Sequence, residues 1–144
     1  MSAAVRAGHR QRSAGERARG APPCLAPARG ASFALLGVRG RATTIAVDVA
    51  GRFGERLFGW LGRTQAPRER GLWITPCASV HTFGMRFPID LVFVDRAGTI
   101  VRIDREVAPW RARRCTEAKG VIELPAGRAA DLRLARGLHF ELRR

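Results

Sequence analysis

Residues 80–95 read VHTFGMRFPIDLVFVD, the densest mixture of apolar strand formers and polar side chains in the chain. Leu91–Val94 is an unbroken apolar run of β-branched and aromatic residues. Such a run suits a strand covered on both faces, where neither side tolerates water. Asp95-Arg96-Ala97-Gly98 then reads as a turn, with Asp at its first position and Gly98 free to take a positive φ. From Thr99 to Val107 the pattern alternates. Val101, Ile103 and Val107 are expected on one face, and Arg102, Asp104 and Glu106 on the other. Residues 89–107 therefore predict a β-hairpin with a half-exposed second strand.

The polar residues before the hairpin are the unusual feature. His81, Thr82, Arg86 and Asp90 flank residues that belong in a core. A carboxylate one step from LVFV requires a cation or backbone amides as partners once buried. Arg86 is the nearest cation, and Pro88 stiffens the link between the two. The expectation is an Asp90–Arg86 pair, read either as an internal ion pair that fixes strand register or as part of a polar site at the strand mouth.

The run HTFGMRFPIDLVFVDRAG, with GLWITP at 71–76 before it and PWR at 109–111 and VIELPAG at 121–127 after it, resembles the bacterial and archaeal family called domain of unknown function 192. The resemblance runs from about Thr43 to the C-terminus. It implies a compact, β-rich α+β domain. It names no activity, and a neighbourhood of secretion and pilus-assembly genes is its one hint of a partner.

Length and charge bound the rest. A chain of 144 residues is one domain by the usual prior. Its 26 Lys and Arg against 12 Asp and Glu give a net charge of +14. Residues 1–42 hold eight of those arginines against Glu16 alone, among Ala, Gly and Pro. Such a composition does not offset its ordering entropy, so a disordered basic tail is expected at 1–42 and a single compact domain at 43–144. Deleting the tail is then expected to leave stability unchanged. The tail has the Arg-rich, acid-poor composition of a transit peptide, but no secretory apolar core of 7–15 residues is found near the start. No run reaches the ~18 apolar residues of a membrane span. Three cysteines without a secretory signal argue for free thiols and a cytoplasmic location.

Alternation predicts further strands at 43–49, 71–75, 79–83, 121–124 and 138–142, and a loop over 109–119. Phe53, Leu57, Trp60 and Leu61 share one face of a helix over 52–61. A second helix is expected over 128–136, ended by Gly137. About seven short strands and two short helices, punctuated by Gly and Pro, predict a rolled, barrel-like sheet.

Candidate chemistry is sparse. Cys77 and His81 lie four apart, and Cys115 and His139 could join them, but no tight ligand pair marks a metal site. No nucleophile elbow or phosphate-binding glycine loop occurs. Arg63, Arg68 and Arg70 form one basic cluster, and Arg111, Arg113 and Arg114 form another beside Trp110. Neither belongs to a nucleic-acid-binding motif, and a solvated basic face accounts for them. If the PWR loop folds over the strand mouth, His81, Arg86, Asp90, Trp110 and Arg111 converge on a small pocket. The resulting expectation is a non-enzymatic binding or accessory module, without cofactor or metal, for a small anionic ligand or a protein segment. A hydrolase using Asp90 or the Cys77/His81 pair is the alternative reading, and nonspecific nucleic-acid binding the next.

Overall fold

The computed structural model describes Leu25, residues 32–50 and residues 60–143. Nine strands and one short helix are present among them: β1 Phe33–Val38, β2 Thr44–Ala50, β3 Arg70–Ile74, β4 Ser79–His81, β5 Ile89–Val94, β6 Ile100–Val107, β7 Ala112–Arg114, β8 Gly120–Pro125, α1 Arg128–Asp131 and β9 Phe140–Arg143. Seven strands form a curled half-barrel sheet in the order β6-β5-β8-β3-β2-β1-β9. Only β2 and β3 pair in parallel. The two ends of the sheet meet: Ile100 N–H donates to the Leu138 carbonyl and Phe140 N–H to that of Gly98, both at 2.8 Å. β4 and β7 make a separate two-stranded ribbon.

The LVFV run forms β5, and all six of its residues are buried. It lies between β6 and β8, so both its edges are hydrogen-bonded. Val92 and Val94 enter a core with Leu36, Trp73, Ile122 and Phe140, while Leu91 and Phe93 enter a second core with Ile74, Met85 and Val121. Two cores on opposite faces of one sheet explain why the run is continuous rather than alternating. Gly98 turns the hairpin at φ +94°, and the Asp95 carboxylate accepts the Thr99 N–H at 2.9 Å.

The alternation expected along β6 is broken. The β5–β6 register shifts between Ile89 and Leu91 and again between Phe93 and Val94. Each shift is an extra residue on β6, and a bulge re-aims every side chain beyond it. Val101 therefore packs with the second core and Ile103 with the first, not on one face.

Three further expectations are corrected. The domain begins before Thr43, because Phe33–Val38 is a strand between β2 and β9, with Leu36 and Val38 fully buried. One of its edges is bonded by the next strand and the other by β9 at the far end of the chain, which a six-residue apolar patch in an Arg-rich stretch does not reveal. The second helix stops at Asp131 rather than Arg136, since Arg133 takes a left-handed φ of +51° that no helix continues through. The loop over 109–119 contains β7. The helix expected over 52–61 lies outside the described residues except for Trp60 and Leu61, so one helix rather than two is seen among them. Residues 1–24 and 26–31 of the expected tail also lie outside them.

Candidate functional site

Thr82 organises the site from a buried position, 1% exposed. Its N–H donates to the Arg111 carbonyl at 2.8 Å, and its carbonyl accepts the Trp110 N–H at 3.0 Å. Its hydroxyl donates to the Ala108 carbonyl at 2.8 Å and accepts the Arg111 N–H at 2.9 Å. One threonine thus carries the PWR loop against the segment that begins at His81. Trp110 itself takes a φ of +61°, a strained value for a bulky residue, and this backbone is held by the Thr82 bonds.

The loop sets three rings in series. His81 stacks on Phe83 with ring centroids 4.8 Å apart, and Phe83 stacks on Trp110 at 5.9 Å. Phe83 is 44% exposed and Trp110 65% exposed, so large apolar faces stand in water. The His81 Nδ1 accepts the Phe83 N–H in a long bond of 3.4 Å, which leaves Nε2 as the proton-bearing nitrogen.

Beside this stack, between the β4–β7 ribbon and the second face of the sheet, is a cavity of about 210 Å³. Trp60, Ile74, Val80 and Met85 supply apolar walls, His81 and Phe83 one side, and Cys77 and Ser79 the ribbon edge. The Cys77 thiol donates to the Ser79 carbonyl at 3.0 Å.

Glu123 also lines the cavity. It sits in β8 opposite Leu72 of β3 and Leu91 of β5, on the second face, and is 7% exposed. Burial pushes its carboxyl up to about 7 from an ordinary 4.5. Among the described residues no hydrogen bond or ion pair holds that carboxyl. A mostly buried carboxyl that meets only a cavity is a costly group, and functional sites concentrate such groups.

Asp90 is elsewhere. It lies on the first face of β5, fully buried, and both its oxygens are used. Oδ1 accepts the Glu106 N–H and Oδ2 the Ala129 N–H, each at 2.8 Å. Glu106 is the left-handed residue of a β6 bulge, at φ +50°, and Ala129 is in the first turn of α1. Asp90 therefore ties a bulge and a helix start to β5. The expected pair with Arg86 is corrected: Arg86 is exposed and forms no ion pair among the described residues. Two backbone amides satisfy the carboxylate instead.

Of the expected convergence, His81 and Trp110 come together, joined by Phe83. Arg111 is fixed next to them but does not line the cavity, and Arg86 and Asp90 do not take part. Cys77, His81, Cys115 and His139 form no metal-binding cluster among the described residues. The arginine clusters are partly neutralised: Arg70 pairs with Asp48 and lies over the Phe33 ring, and Arg113 pairs with Asp104. Phe83 and Glu123 are the residues that reading by pattern passes over, and Thr82, noted there only as a polar residue, turns out to hold the PWR loop. Glu123 carried a signal all the same, as a lone carboxylate between Ile122 and Leu124 in an apolar run.

Fold and site together define a small β-rich domain, a curled sheet with a ribbon-covered acidic cavity on its outer face. The family model described as Uncharacterized ACR, domain of unknown function 192, matches residues 34–142, and the chain belongs to that family. Its match begins within β1. No curated protein matches the chain. A crystal structure from Sinorhizobium meliloti 1021, described as a "putative transcription regulator", is similar at a TM-score of 0.69 and 22% identity, over 76% of this chain and 93% of that one. A protein of unknown function from Novosphingobium aromaticivorans DSM 12444 is similar at 0.67 and 22%, over 85% of this chain and 94% of that one. At this identity the likeness is one of fold. Among the described residues no helix is long and apolar enough to cross a membrane.

Proposed function

We propose that the domain is a non-enzymatic binding module that receives a small apolar group in the cavity beneath the β4–β7 ribbon. The observation that carries this reading is the cavity itself, about 210 Å³ with mostly apolar walls and few polar groups. Binding pockets have this composition. The exposed Phe83 and Trp110 faces at its side support it, because large apolar faces in water mark contact surfaces. A small anion fits less well than the arginines suggested, since Arg86 and Arg111 do not line the cavity and Glu123 does. A hydrolase built on Asp90 loses its support, because both carboxylate oxygens are bound to backbone amides. A cytoplasmic setting and a link to secretion or pilus assembly belong to the proposal as context.

Val80→Phe tests it. The larger ring fills the cavity from its wall. Thermal-shift titration with n-butanol is expected to raise the melting temperature of the wild type and not that of the variant, by the mass action of a ligand that binds the folded state. Equal responses of the two proteins would place binding outside the cavity.

A further inference from the structure

We infer that the cavity selects a protonated primary amine on an apolar stem, with Glu123 as its counter-charge. The inference rests on the proposed binding function and specifies its ligand. Three observations meet in it. The carboxyl of Glu123 lines the cavity, is 7% exposed, and has no hydrogen-bond or ion-pair partner among the described residues. The walls around it are apolar, so the stem of an alkylamine gains burial there while the ammonium meets the carboxylate. Aromatic rings of Trp60, His81 and Phe83 also line the space, and ring faces attract a cation in addition to the ion pair.

A neutral ligand leaves the carboxyl unsatisfied, and an anion adds a second negative charge to a site that already resists one. An amine satisfies it with up to three N–H donors. The overall charge of +14 opposes a cation at long range, but solvent ions screen that field beyond about 10 Å, whereas the Glu123 contact is short and poorly screened.

The same carboxyl makes recognition depend on pH. An ammonium prefers the ionised form, and burial holds Glu123 protonated up to about 7. Apparent affinity for an amine therefore rises with pH towards 7 and levels off above it. Below that point it falls about tenfold per pH unit, as the competent fraction does. Cys77 and His81 are the other titratable groups on the cavity wall, and the strand neighbours Leu72 and Leu91 are apolar.

The experiment is calorimetric titration of the full chain with n-butylamine, n-butanol and butyrate at pH 5.5 and pH 8. The wild type is compared with Glu123→Gln and with Arg86→Ala, whose side chain is exposed and does not line the cavity. Butylamine is expected to bind about tenfold more tightly than butanol at pH 8, with butyrate weakest. That preference should shrink at pH 5.5 and vanish in Glu123→Gln, while Arg86→Ala keeps it. Butanol binding retained by Glu123→Gln shows that the variant is folded, and the pH series of the wild type tests the inference without any variant. Equal binding of butylamine and butanol at pH 8 would overturn the inference and leave the cavity reading standing. Failure of every compound to bind would overturn both. A blocked lysine, with the same side chain on a peptide backbone, is the last arm. Tighter binding than butylamine assigns the source to a protein segment, weaker binding to a free amine, and either result upholds the amine.

Discussion

Replacing Glu123 by glutamine should make the protein more stable, and by an amount that depends on pH. The folded carboxyl titrates at about 7 and the unfolded one near 4.5. Between those values the unfolded chain releases a proton that the folded chain keeps. Stability of the wild type therefore declines as pH rises through this window, by up to about 1.4 kcal/mol per pH unit, and levels off once the folded carboxyl also ionises. Below about 4.5 both states are protonated and nothing is lost. A gap of about 2.5 pH units corresponds to about 3 kcal/mol, an upper figure because the carboxyl borders a cavity that water can enter. Glutamine has the shape of the protonated acid and does not titrate, so the variant should escape the decline. The assay is urea denaturation of both proteins at pH 5, 6, 7 and 8.5. The variant's advantage should grow by about 1 to 2.5 kcal/mol across that range. A difference that is the same at pH 5 and pH 8.5 would show that Glu123 ionises normally, and the argument for a strained acidic cavity would fail.

Asp90→Ala leaves the Glu106 and Ala129 amides without their acceptor and should cost about 2–4 kcal/mol by chemical denaturation, whereas Arg86→Ala should change stability by less than about 0.5 kcal/mol. Equal losses from the two would revive the ion pair. Thr82→Val keeps shape but removes the hydroxyl that bonds Ala108 and Arg111, and should cost about 1–2 kcal/mol while making Trp110 more accessible to a fluorescence quencher. Deletion of residues 1–42 takes β1 from between β2 and β9 and should abolish cooperative unfolding, as followed by circular dichroism. A truncated protein with the wild-type melting temperature would contradict the sheet order.

The sequence by itself determined the local elements whose signals are local. The LVFV run announced a strand buried on both faces, Asp95 to Gly98 announced its turn, and HTFGMRFPID with PWR and VIELPAG announced the family. What it left open is what depends on partners far along the chain. β1 is a central strand because β9, at the far end of the chain, bonds the edge that β2 leaves open, and the six residues of β1 contain no trace of that. The extra residues in β6 reverse the faces of Val101 and Ile103, and a period of two holds only until a bulge breaks it. Asp90 and Glu123 make the same point in opposite ways. Each is a lone carboxylate in an apolar strand, and each looks alike in sequence. The fold brings two backbone amides to Asp90, from a bulge 16 residues away and a helix 39 residues away. To Glu123 it brings leucines and an aromatic wall. Burial of a charge can be read from its neighbours in sequence, but what satisfies the charge is decided only by which backbone groups the tertiary structure delivers to it.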